Sequence, residues 1–435
     1  MAVTNPYDFD FAVAGGGPAG AAAAIALAQR GHQVVLFERD RFPRFHIGES
    51  LVATANQAFA ELGLAERMRA AGFPEKWGAQ LATHDGSAGR PVDFSTSREI
   101  AQPQTYQVCR EKFDQMLLER ALEAGVEVRQ GHRVEGVDFD VDGVRVRYLD
   151  ERGAAGSERA RAVVDSTGRA GLLARQFALR EDEPQLANVA LYGHYSGVPL
   201  PAGRAAGDIR IIARRDAGWF WLIPIDAELV SVGVVVPRAL YARLEKGDPE
   251  RMLTAAIAET PAVATLLAGA RLEWPVRVEK DFSYRASRYA GARWLLAGDS
   301  GSFLDPVFST GVSIALESGI EAARALDRAA RAGDFSAGAF ADFDRRQRRR
   351  FEVYRRFVLA FYRPEFRDLF FQPGPPPALF RAVVTVLAGN WRPRLRTRLL
   401  IEIFFLFVWL QRRLPLVERI ARRDPAAGFP TEDAA

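Results

Sequence analysis

The sequence predicts an α/β protein in which a Rossmann-like dinucleotide-binding domain carries a β-rich insertion and is followed by a helical C-terminal region. Three observations predict this class. A glycine-rich G-x-G-x-x-G turn lies between a strand pattern and a helix pattern near the N-terminus. A second buried strand pattern runs into Gly-Asp-Ser-Gly at 298–301, and only helical patterns follow residue 335.

The first turn has the pattern of a phosphate-binding loop. "DFAVAGGG" is typical of a short buried strand, "PAGAAAAIALAQRG" of an alanine-rich helix and "HQVVLFE" of a second strand, so the three form a βαβ unit. Gly15, Gly17 and Gly20, with Ala19 beside them, permit a tight turn and close approach of a pyrophosphate to the helix N-terminus. Glu38 ends the second strand, where a carboxylate accepts hydrogen bonds from ribose hydroxyls. A glycine-rich turn without a ligand is the less favoured interpretation, because the βαβ context is complete.

The remaining elements predict a domain built from separated segments. Strand patterns lie at "VEVRQG", "VEGVDFDVDGVRVRYLD" and "ARAVVDSTG", and strands dominate again before a helical stretch and the strand "ARWLLAGDSG". We assign to the dinucleotide domain residues 1–75, 105–182 and 283–333, to a β-rich substrate-side domain residues 76–104 and 183–282, and to the helical C-terminal region residues 334–435.

Composition indicates a globular protein and excludes several function classes. Of 435 residues, 48% are hydrophobic and 26% charged, and the net charge is +4 without a long basic stripe, so nucleic acid is not an expected partner. The only cysteine, Cys109, excludes an intramolecular disulfide, and no signal-peptide pattern precedes the first strand, so we expect a cytoplasmic protein. The longest apolar run, 399–410, is too short to span a bilayer.

Two further stretches predict contacts with the dinucleotide or with a small anion. Asp299, in "GDSGSFLDP", is placed to accept a bond from a ribityl hydroxyl, because this arrangement resembles the single-component flavoprotein monooxygenase fold with FAD as the dinucleotide. Arg110 resembles the arginine that such proteins place near FAD at the start of a helix; the alternative is a surface helix residue. In "DPVFSTGV" the amides of Thr310 and Gly311 begin a helix, where they would bind a small anion or contact only the flavin.

Lys76, in "GFPEKWGA", is one of few lysines in an arginine-rich chain. An amine held in an apolar pocket has a lowered pKa and becomes available as a neutral group; a solvated surface lysine is the alternative. No spacing typical of a metal site is present, so no metal is expected. The run "GWFWLIP" at 218–224 is either an ordinary core strand or a wall beside a reaction site.

Several of these stretches together resemble the flavin-dependent halogenases. They are GGGPAG at 15–20, FPRFHIGESL at 42–51, FPEKWGA at 73–79, WFWLIP at 219–224, and the F-x-x-P-x-x-S-x-G pattern formed by Phe303, Pro306, Ser309 and Gly311. The likeness extends from residue 10 to about residue 320. It is strongest to the branch that acts on phenols and pyrroles, because the β-rich insertion is compact.

The resemblance implies an FAD-dependent oxidoreductase of secondary metabolism, such as antibiotic biosynthesis. Reduced FAD (FADH2) arrives from a separate flavin reductase, and with O2 it oxidises chloride or bromide to hypohalous acid. The halide is held near Thr310 and Gly311, the oxidised halogen passes through a tunnel to Lys76, and an electron-rich phenol or pyrrole, free or tethered to an acyl carrier protein, is substituted. The residues implied at the cofactor, beyond the βαβ unit, are Gly48, Ser50, Arg110, Asp299, Pro306 and Gly311.

The strand pattern at 219–224 predicts a wall inside the site. Trp219, Trp221 and Ile223 share one face of the strand and would separate the flavin from the substrate.

An aromatic hydroxylase or lipid-type reductase of the same fold is the alternative function, and a non-catalytic flavin-binding pathway protein is a third. We expect the helix at 399–410 to cover the substrate pocket or to dock on the body of the protein. A membrane-surface helix and a docking face for a carrier protein are the less favoured alternatives.

Overall fold

The computed structural model describes residues 6–216, 218–244, 248–280, 283–372 and 376–420. In chain order its strands are β1 (Phe9–Ala14), β2 (Val34–Glu38), β3 (Glu75–Lys76), β4 (Gly78–Ala82), β5 (Gly89–Asp93), β6 (Thr105–Tyr106), β7 (Glu127–Gln130), β8 (Arg133–Phe139), β9 (Val144–Leu149), β10 (Ala155–Asp165), β11 (Arg180–Asp182), β12 (Asn188–Ser196), β13 (Ile209–Ala213), β14 (Trp219–Pro224), β15 (Leu229–Pro237), β16 (Arg271–Leu272), β17 (Arg277–Lys280), β18 (Tyr284–Ala286), β19 (Ala290–Gly291), β20 (Trp294–Leu296) and β21 (Ser302–Phe303). The α-helices are α1 (Pro18–Ala28), α2 (Ala55–Leu62), α3 (Ala65–Ala70), α4 (Arg110–Glu123), α5 (Leu172–Gln176), α6 (Arg238–Leu244), α7 (Pro249–Ala258), α8 (Pro261–Leu266), α9 (Gly311–Ala332), α10 (Ala341–Phe361), α11 (Pro364–Phe371), α12 (Pro377–Leu387) and α13 (Leu395–Gln411).

The first sheet has the strand order β19-β20-β10-β1-β2-β7, with the meander β8-β9 joined to β10. Its central pairs, β1 with β2, β1 with β10 and β10 with β20, are parallel. Strands from three distant parts of the sequence therefore lie side by side, and their carboxyl ends meet at one edge of the sheet. This confirms the predicted α/β class with its Rossmann-like βαβ unit.

Helix α1 is buried between this sheet and the long helix α9. Small residues allow the two helices to approach closely, since a Cβ added at Gly319 of α9 would lie 2.2 Å from the carbonyl oxygen of Ala19. The alanines of α1 are almost entirely buried for the same reason. The alanine-rich composition of this helix is thus required by packing as well as by helix propensity.

The second sheet has the order β16-β12-β15-β14-β13-β4-β5, with β17 also pairing β12. Strand β14, the stretch WFWLIP, lies inside it between β13 and β15. Its side chains alternate between two cores: Trp219, Trp221 and Ile223 belong to one, and Phe220 and Leu222 to the other. The predicted division of the strand into two faces is confirmed, and both faces are buried.

Helices α10 to α13 form the C-terminal region and pack on the core that contains Trp219 and Trp221. One face of α13 is buried, through Ile401, Phe404 and Val408, while Leu399 and Trp409 of the opposite side are 61% and 52% exposed. Within the described part of the chain no helix is long and apolar enough to cross a bilayer.

Candidate functional site

A cavity of about 730 Å³ begins at the carboxyl ends of β1 and β2 and extends past the N-terminus of α9 to β14. Most of the residues predicted for cofactor, halide and wall line it: Gly15, Gly17, Ala19, Glu38, Gly48, Ser50, Arg110, Trp219, Trp221, Ile223, Asp299, Pro306, Thr310 and Gly311. Gly20 and Lys76 are the two predicted residues that do not appear in its lining. Both lie directly behind lining residues.

The three glycines of the first turn have separate physical roles. Gly15 has φ +101° and a Cβ there would lie 2.3 Å from the carbonyl oxygen of Ser166, so the turn requires glycine. At Gly20 a Cβ would lie 1.8 Å from the carbonyl oxygen of Gly15, which fixes the contact of α1 with the turn. At Gly17 the nearest atom is Nη2 of Arg44 at 3.6 Å, so a methyl group fits the protein and the restriction comes from the cavity.

Glu38 is buried at the end of β2 and already supports the turn. Its Oε2 accepts a hydrogen bond from the Gly16 amide at 2.7 Å, and its Oε1 accepts one from the Asp40 amide at 2.9 Å. Because a carboxylate has about four lone-pair sites, both oxygens retain the capacity to accept ribose hydroxyls. Glu38 therefore fits both a structural and a cofactor role.

Ser166 is a site residue that the sequence patterns did not predict. Its Oγ lies 2.8 Å from the carbonyl oxygen of Ala14 and 3.0 Å from that of Gly15. It follows β10 within the quoted "DSTG", and only the pairing of β10 with β1 brings it to the phosphate turn. Without that pairing nothing marks this serine.

Arg110 begins α4, as predicted, and its guanidinium is buried. Nε and Nη2 donate to the two carboxylate oxygens of Asp114 at 2.8 and 2.9 Å, while Nη1 donates to the carbonyl oxygen of Ile47 at 2.8 Å. Arg44 adds a second bond to Asp114. The ion pair fixes the guanidinium on α4, and the bonds from Nη1 to the Ile47 and Gly48 carbonyl oxygens hold the loop that contains Gly48 at the cavity wall.

Asp299 lies in a short 3₁₀ turn between β20 and β21. Burial raises the pKa of its carboxyl to about 6, although the nearby guanidinium groups of Arg110 and Arg169 act in the opposite direction. A carboxyl that is costly to ionise in this position becomes easier to ionise when a hydroxyl donates a hydrogen bond to it. The position therefore suits the predicted acceptor for a ribityl hydroxyl.

The first turn of α9 lies at the cavity wall and has the arrangement of backbone amides that can bind an anion. Ser309 has φ +56°, Thr310 is the N-cap residue and Gly311 is the first helical residue. The first amides of a helix have no carbonyl partner within it, and the helix dipole adds partial positive charge there. In the same turn the Oγ of Ser313 is buried and has no hydrogen-bond partner in the described structure. The backbone amide donors of this turn are neutral, which suits a halide.

Lys76 is 1% exposed on the two-residue strand β3. Its Nζ donates to Oγ of Ser50 at 2.8 Å and to the carbonyl oxygen of Leu51 at 2.7 Å, and it lies 5.5 Å from the ring centre of Phe94. Burial lowers the pKa of the amine to about 7, with Asp208 opposing. The surface interpretation of this lysine is wrong: the amine is buried, partly neutral at pH 7 and one residue behind the cavity wall.

The cavity has the shape and donor set that an extended dinucleotide requires. One end carries the β2 carboxylate, the middle carries the glycine turn at the N-terminus of α1, and the far end carries Asp299 and the N-terminus of α9. Its volume is in the range of about 300–1,000 Å³ typical of cofactor sites. Fold and site together define a protein with an FAD-binding, Rossmann-like domain, that is, a flavoprotein.

Comparisons with known proteins agree and are more specific. A family model described as FAD binding domain matches residues 8–337. The chain is 35% identical over 335 residues to a 1H-pyrrole-2-carbonyl-(peptidyl-carrier protein) brominase of Pseudoalteromonas luteoviolacea, covering 77% of this chain and 80% of that protein. It is 30% identical over 380 residues to the corresponding chlorinase of Pseudomonas fluorescens, covering 82% and 84%. The solved structure of the flavin-dependent brominase Bmp2 superposes with a TM-score of 0.80 at 29% identity, covering 92% of this chain and 99% of that one.

The chain therefore belongs to the family of flavin-dependent halogenases, which are enzymes of the oxidoreductase type.

Proposed function

We propose that this protein uses reduced FAD, O2 and chloride or bromide to halogenate a pyrrole or phenol ring carried as a thioester on an acyl carrier protein. The observation that carries the proposal is the buried amine of Lys76, which lies one hydrogen bond behind Ser50 at the wall of the FAD-sized cavity. The relatives that act on carrier-bound pyrrole support the substrate class.

FAD, when bound in its reduced form and supplied with O2, provides the two-electron oxidation of a halide to hypohalous acid. The protein's part in that step is to hold the halide. The Thr310 and Gly311 amides at the start of α9 are the proposed donors, because they are directed by the helix and carry no acidic proton. Pro306 and Asp299 lie beside them in the cavity lining.

Lys76 is proposed to receive the oxidised halogen. A neutral amine is nucleophilic toward it, and an ammonium group is a hydrogen-bond donor to it. With a pKa near 7 both forms are populated at neutral pH. Its carbonyl and hydroxyl partners fix the position of Nζ, so the amine needs little reorganisation to present a halogen to the ring.

Trp219, Trp221 and Ile223 are proposed to form a wall that keeps the organic ring away from the flavin. All three line the cavity from one face of β14 and are at most 7% exposed. The indole N–H of Trp219 donates to Tyr362 and that of Trp221 donates to Ser231, and neither acceptor lines the cavity. The wall would let a small oxidised halogen reach Lys76 and exclude the larger substrate.

The proposal includes the cellular setting and the division of the chain. We infer that reduced FAD is delivered by a separate flavin reductase, as the resemblance to the flavin-dependent halogenases implies. The reaction is placed in the cytoplasm, where Cys109 stays reduced. The division keeps the bounds inferred from the sequence, with residues 1–75, 105–182 and 283–333 serving FAD.

The test supplies chemically reduced FAD, O2 and either bromide or chloride to the purified protein. Two substrate sets are compared: free phenols and pyrrole-2-carboxylate, and pyrrole-2-carbonyl attached to the phosphopantetheine of a carrier protein. Halogen isotope patterns on the carrier-bound pyrrole alone support the proposal in full. Halogenation of only free rings contradicts the carrier, and oxygenation without halogen supports the aromatic hydroxylase instead.

A further inference from the structure

A buried hydrogen-bonded chain connects β14 and the C-terminal helices to the start of α9. Nε1 of Trp219 donates to Oη of Tyr362 at 2.9 Å, and Oη of Tyr362 donates to Oδ2 of Asp305 at 2.6 Å. An indole N–H only donates, so the tyrosine hydroxyl must accept from it and give its own proton to the carboxylate. Nδ2 of Asn188 donates to the same oxygen of Asp305 at 3.0 Å.

The other end of the Asp305 carboxylate shapes the loop before α9. Its Oδ1 accepts a bond from the Val307 amide, which caps the 3₁₀ turn Pro306–Phe308. That turn ends at Ser309, whose φ of +56° is uncommon for a residue with a side chain and directs the backbone into Thr310. The conformation of the turn therefore depends on where Asp305 is held.

One of the two side chains that donate to Oδ2 of Asp305, that of Tyr362, comes from the C-terminal region. Tyr362 directly follows α10, and the preceding Phe361 packs against Phe308 of the turn and against Trp219, with ring centres 5.8 and 6.3 Å apart. The turn is thus fixed by a polar contact and an aromatic contact from the same helix end. Burial raises the pKa of Asp305 to about 6, against the hydrogen bonds from Tyr362, Asn188 and the Val307 amide, and burial raises the pKa of Tyr362 well above its ordinary value.

We propose that Tyr362 and Asp305 are positioning residues for the halide: the C-terminal region holds the 306–309 turn so that the Thr310 and Gly311 amides face the halide in one fixed geometry. This rests on the proposed function of those amides. It gives the helical C-terminal region a role in halide binding. Loss of the Tyr362 bond then loosens the amide donors while the phosphate end of the cavity, formed by β1 and α1, is unchanged.

The test compares Tyr362→Phe with the matched control Tyr354→Phe. Tyr354 lies on α10, is 3% exposed and donates a single bond to the carbonyl oxygen of Gly389 at 2.7 Å, away from the turn. Both variants remove one buried tyrosine hydroxyl from the same helical region. Three quantities are measured: the KM for bromide in the halogenation assay, the Kd of bromide from the absorbance change of enzyme-bound oxidised FAD, and the Kd of FAD.

Tyr362→Phe is expected to raise the bromide KM and Kd about tenfold, the effect of losing a hydrogen bond to a charged group. The Kd of FAD stays within about twofold of wild type, and Tyr354→Phe leaves all three quantities unchanged. Equal KM and Kd values for bromide in the two variants, or a parallel loss of FAD affinity in Tyr362→Phe, would overturn the inference. Should Tyr362→Phe not fold, Asp305→Asn, which keeps the shape of the side chain, is measured in its place with the same expectation.

Wild-type enzyme provides the distinction between the two proposals. If it halogenates but its bromide constants are unaffected by Tyr362→Phe, only the positioning role fails. If wild-type enzyme oxygenates its substrate with no dependence on halide, the proposed function fails and the positioning role fails with it.

Discussion

Replacing Lys76 by methionine should abolish halogenation and raise the stability of the folded protein at neutral pH. Methionine is close in length and shape to the lysine stem, so it fills the same buried space without the amine. The side chain is 1% exposed, and burial lowers the pKa of the amine from 10.5 to about 7. At about 1.4 kcal/mol per pH unit, keeping this amine protonated in the fold costs about 5 kcal/mol.

Two hydrogen bonds offset part of that penalty. Nζ donates to the Ser50 hydroxyl and to the Leu51 carbonyl oxygen, and removing the donor leaves that carbonyl without this partner, at a cost of about 2 kcal/mol. At pH 7, where the amine is half neutral, the remaining penalty is about 4 kcal/mol, so the variant should gain about 2 kcal/mol in free energy of unfolding. Active-site residues that oppose stability in this way are common.

The pH dependence of the difference in free energy of unfolding between wild type and Lys76→Met tests the burial of the amine more sharply. Because the folded pKa is lowered, the unfolded chain binds more protons than the folded chain between pH 7 and 10.5, and wild-type stability rises across that window. The advantage of Lys76→Met should therefore shrink by about 1.3 kcal/mol per pH unit above pH 7 and vanish near pH 9.

The assay is urea unfolding of both flavin-free proteins at pH 6.5, 7.5, 8.5 and 9.0, followed by tryptophan fluorescence. Lys112→Met is the control, because the Lys112 side chain is exposed on the surface. A stability difference between wild type and Lys76→Met that does not change with pH would show that the amine is not a buried, destabilised charge.

Three further predictions concern the cofactor and the wall. Gly17→Ala should fold normally and weaken FAD binding by about tenfold or more in a fluorescence titration. Gly20→Ala should lower the melting temperature even without FAD, because its methyl group would lie 1.8 Å from the carbonyl oxygen of Gly15. The reverse pattern would contradict the roles assigned to the two glycines. The FAD Kd of wild type should rise as pH falls through 6, where the Asp299 carboxyl becomes protonated, and Asp299→Asn should remove this dependence; an identical pH profile in both proteins would exclude that carboxylate. Trp221→Ala should release more hydrogen peroxide or hydroxylated product per halogenation than Trp221→Phe; unchanged coupling in both would reduce β14 to a core strand.

Local patterns predicted the elements that depend on neighbours in sequence. The βαβ unit, the meander at β8 to β10, the two faces of β14 and the start of α9 at Gly311 all follow from periodicity, glycine positions and capping, which act over a few residues. Lys76 was distinguishable because lysine is rare in this chain and this one lies between an aromatic-rich loop and the next strand. The structure adds the reason that it matters, which is its burial behind Ser50.

Site contacts made across the fold were not predictable in this way. Ser166 is 152 residues from the Ala14 carbonyl oxygen that it contacts, and Tyr362 is 57 residues from Asp305. A third case is the buried pair in which Oε1 of Glu49 lies 2.7 Å from Nε2 of His194, 145 residues away. Each residue type is ordinary at its position, and only the strand pairing and the docking of α10 bring the partners together.

One experiment separates the oxidation of halide from the delivery of the oxidised halogen to the aromatic ring. Wild type and Lys76→Met are each supplied with reduced FAD, O2, bromide and the accepted aromatic substrate, and a soluble trap for hypobromous acid is included in parallel reactions. We predict that both proteins give brominated trap, and that only wild type brominates the aromatic substrate. Bromination of that substrate by Lys76→Met at the wild-type rate would show that the oxidised halogen does not reach the ring through Lys76.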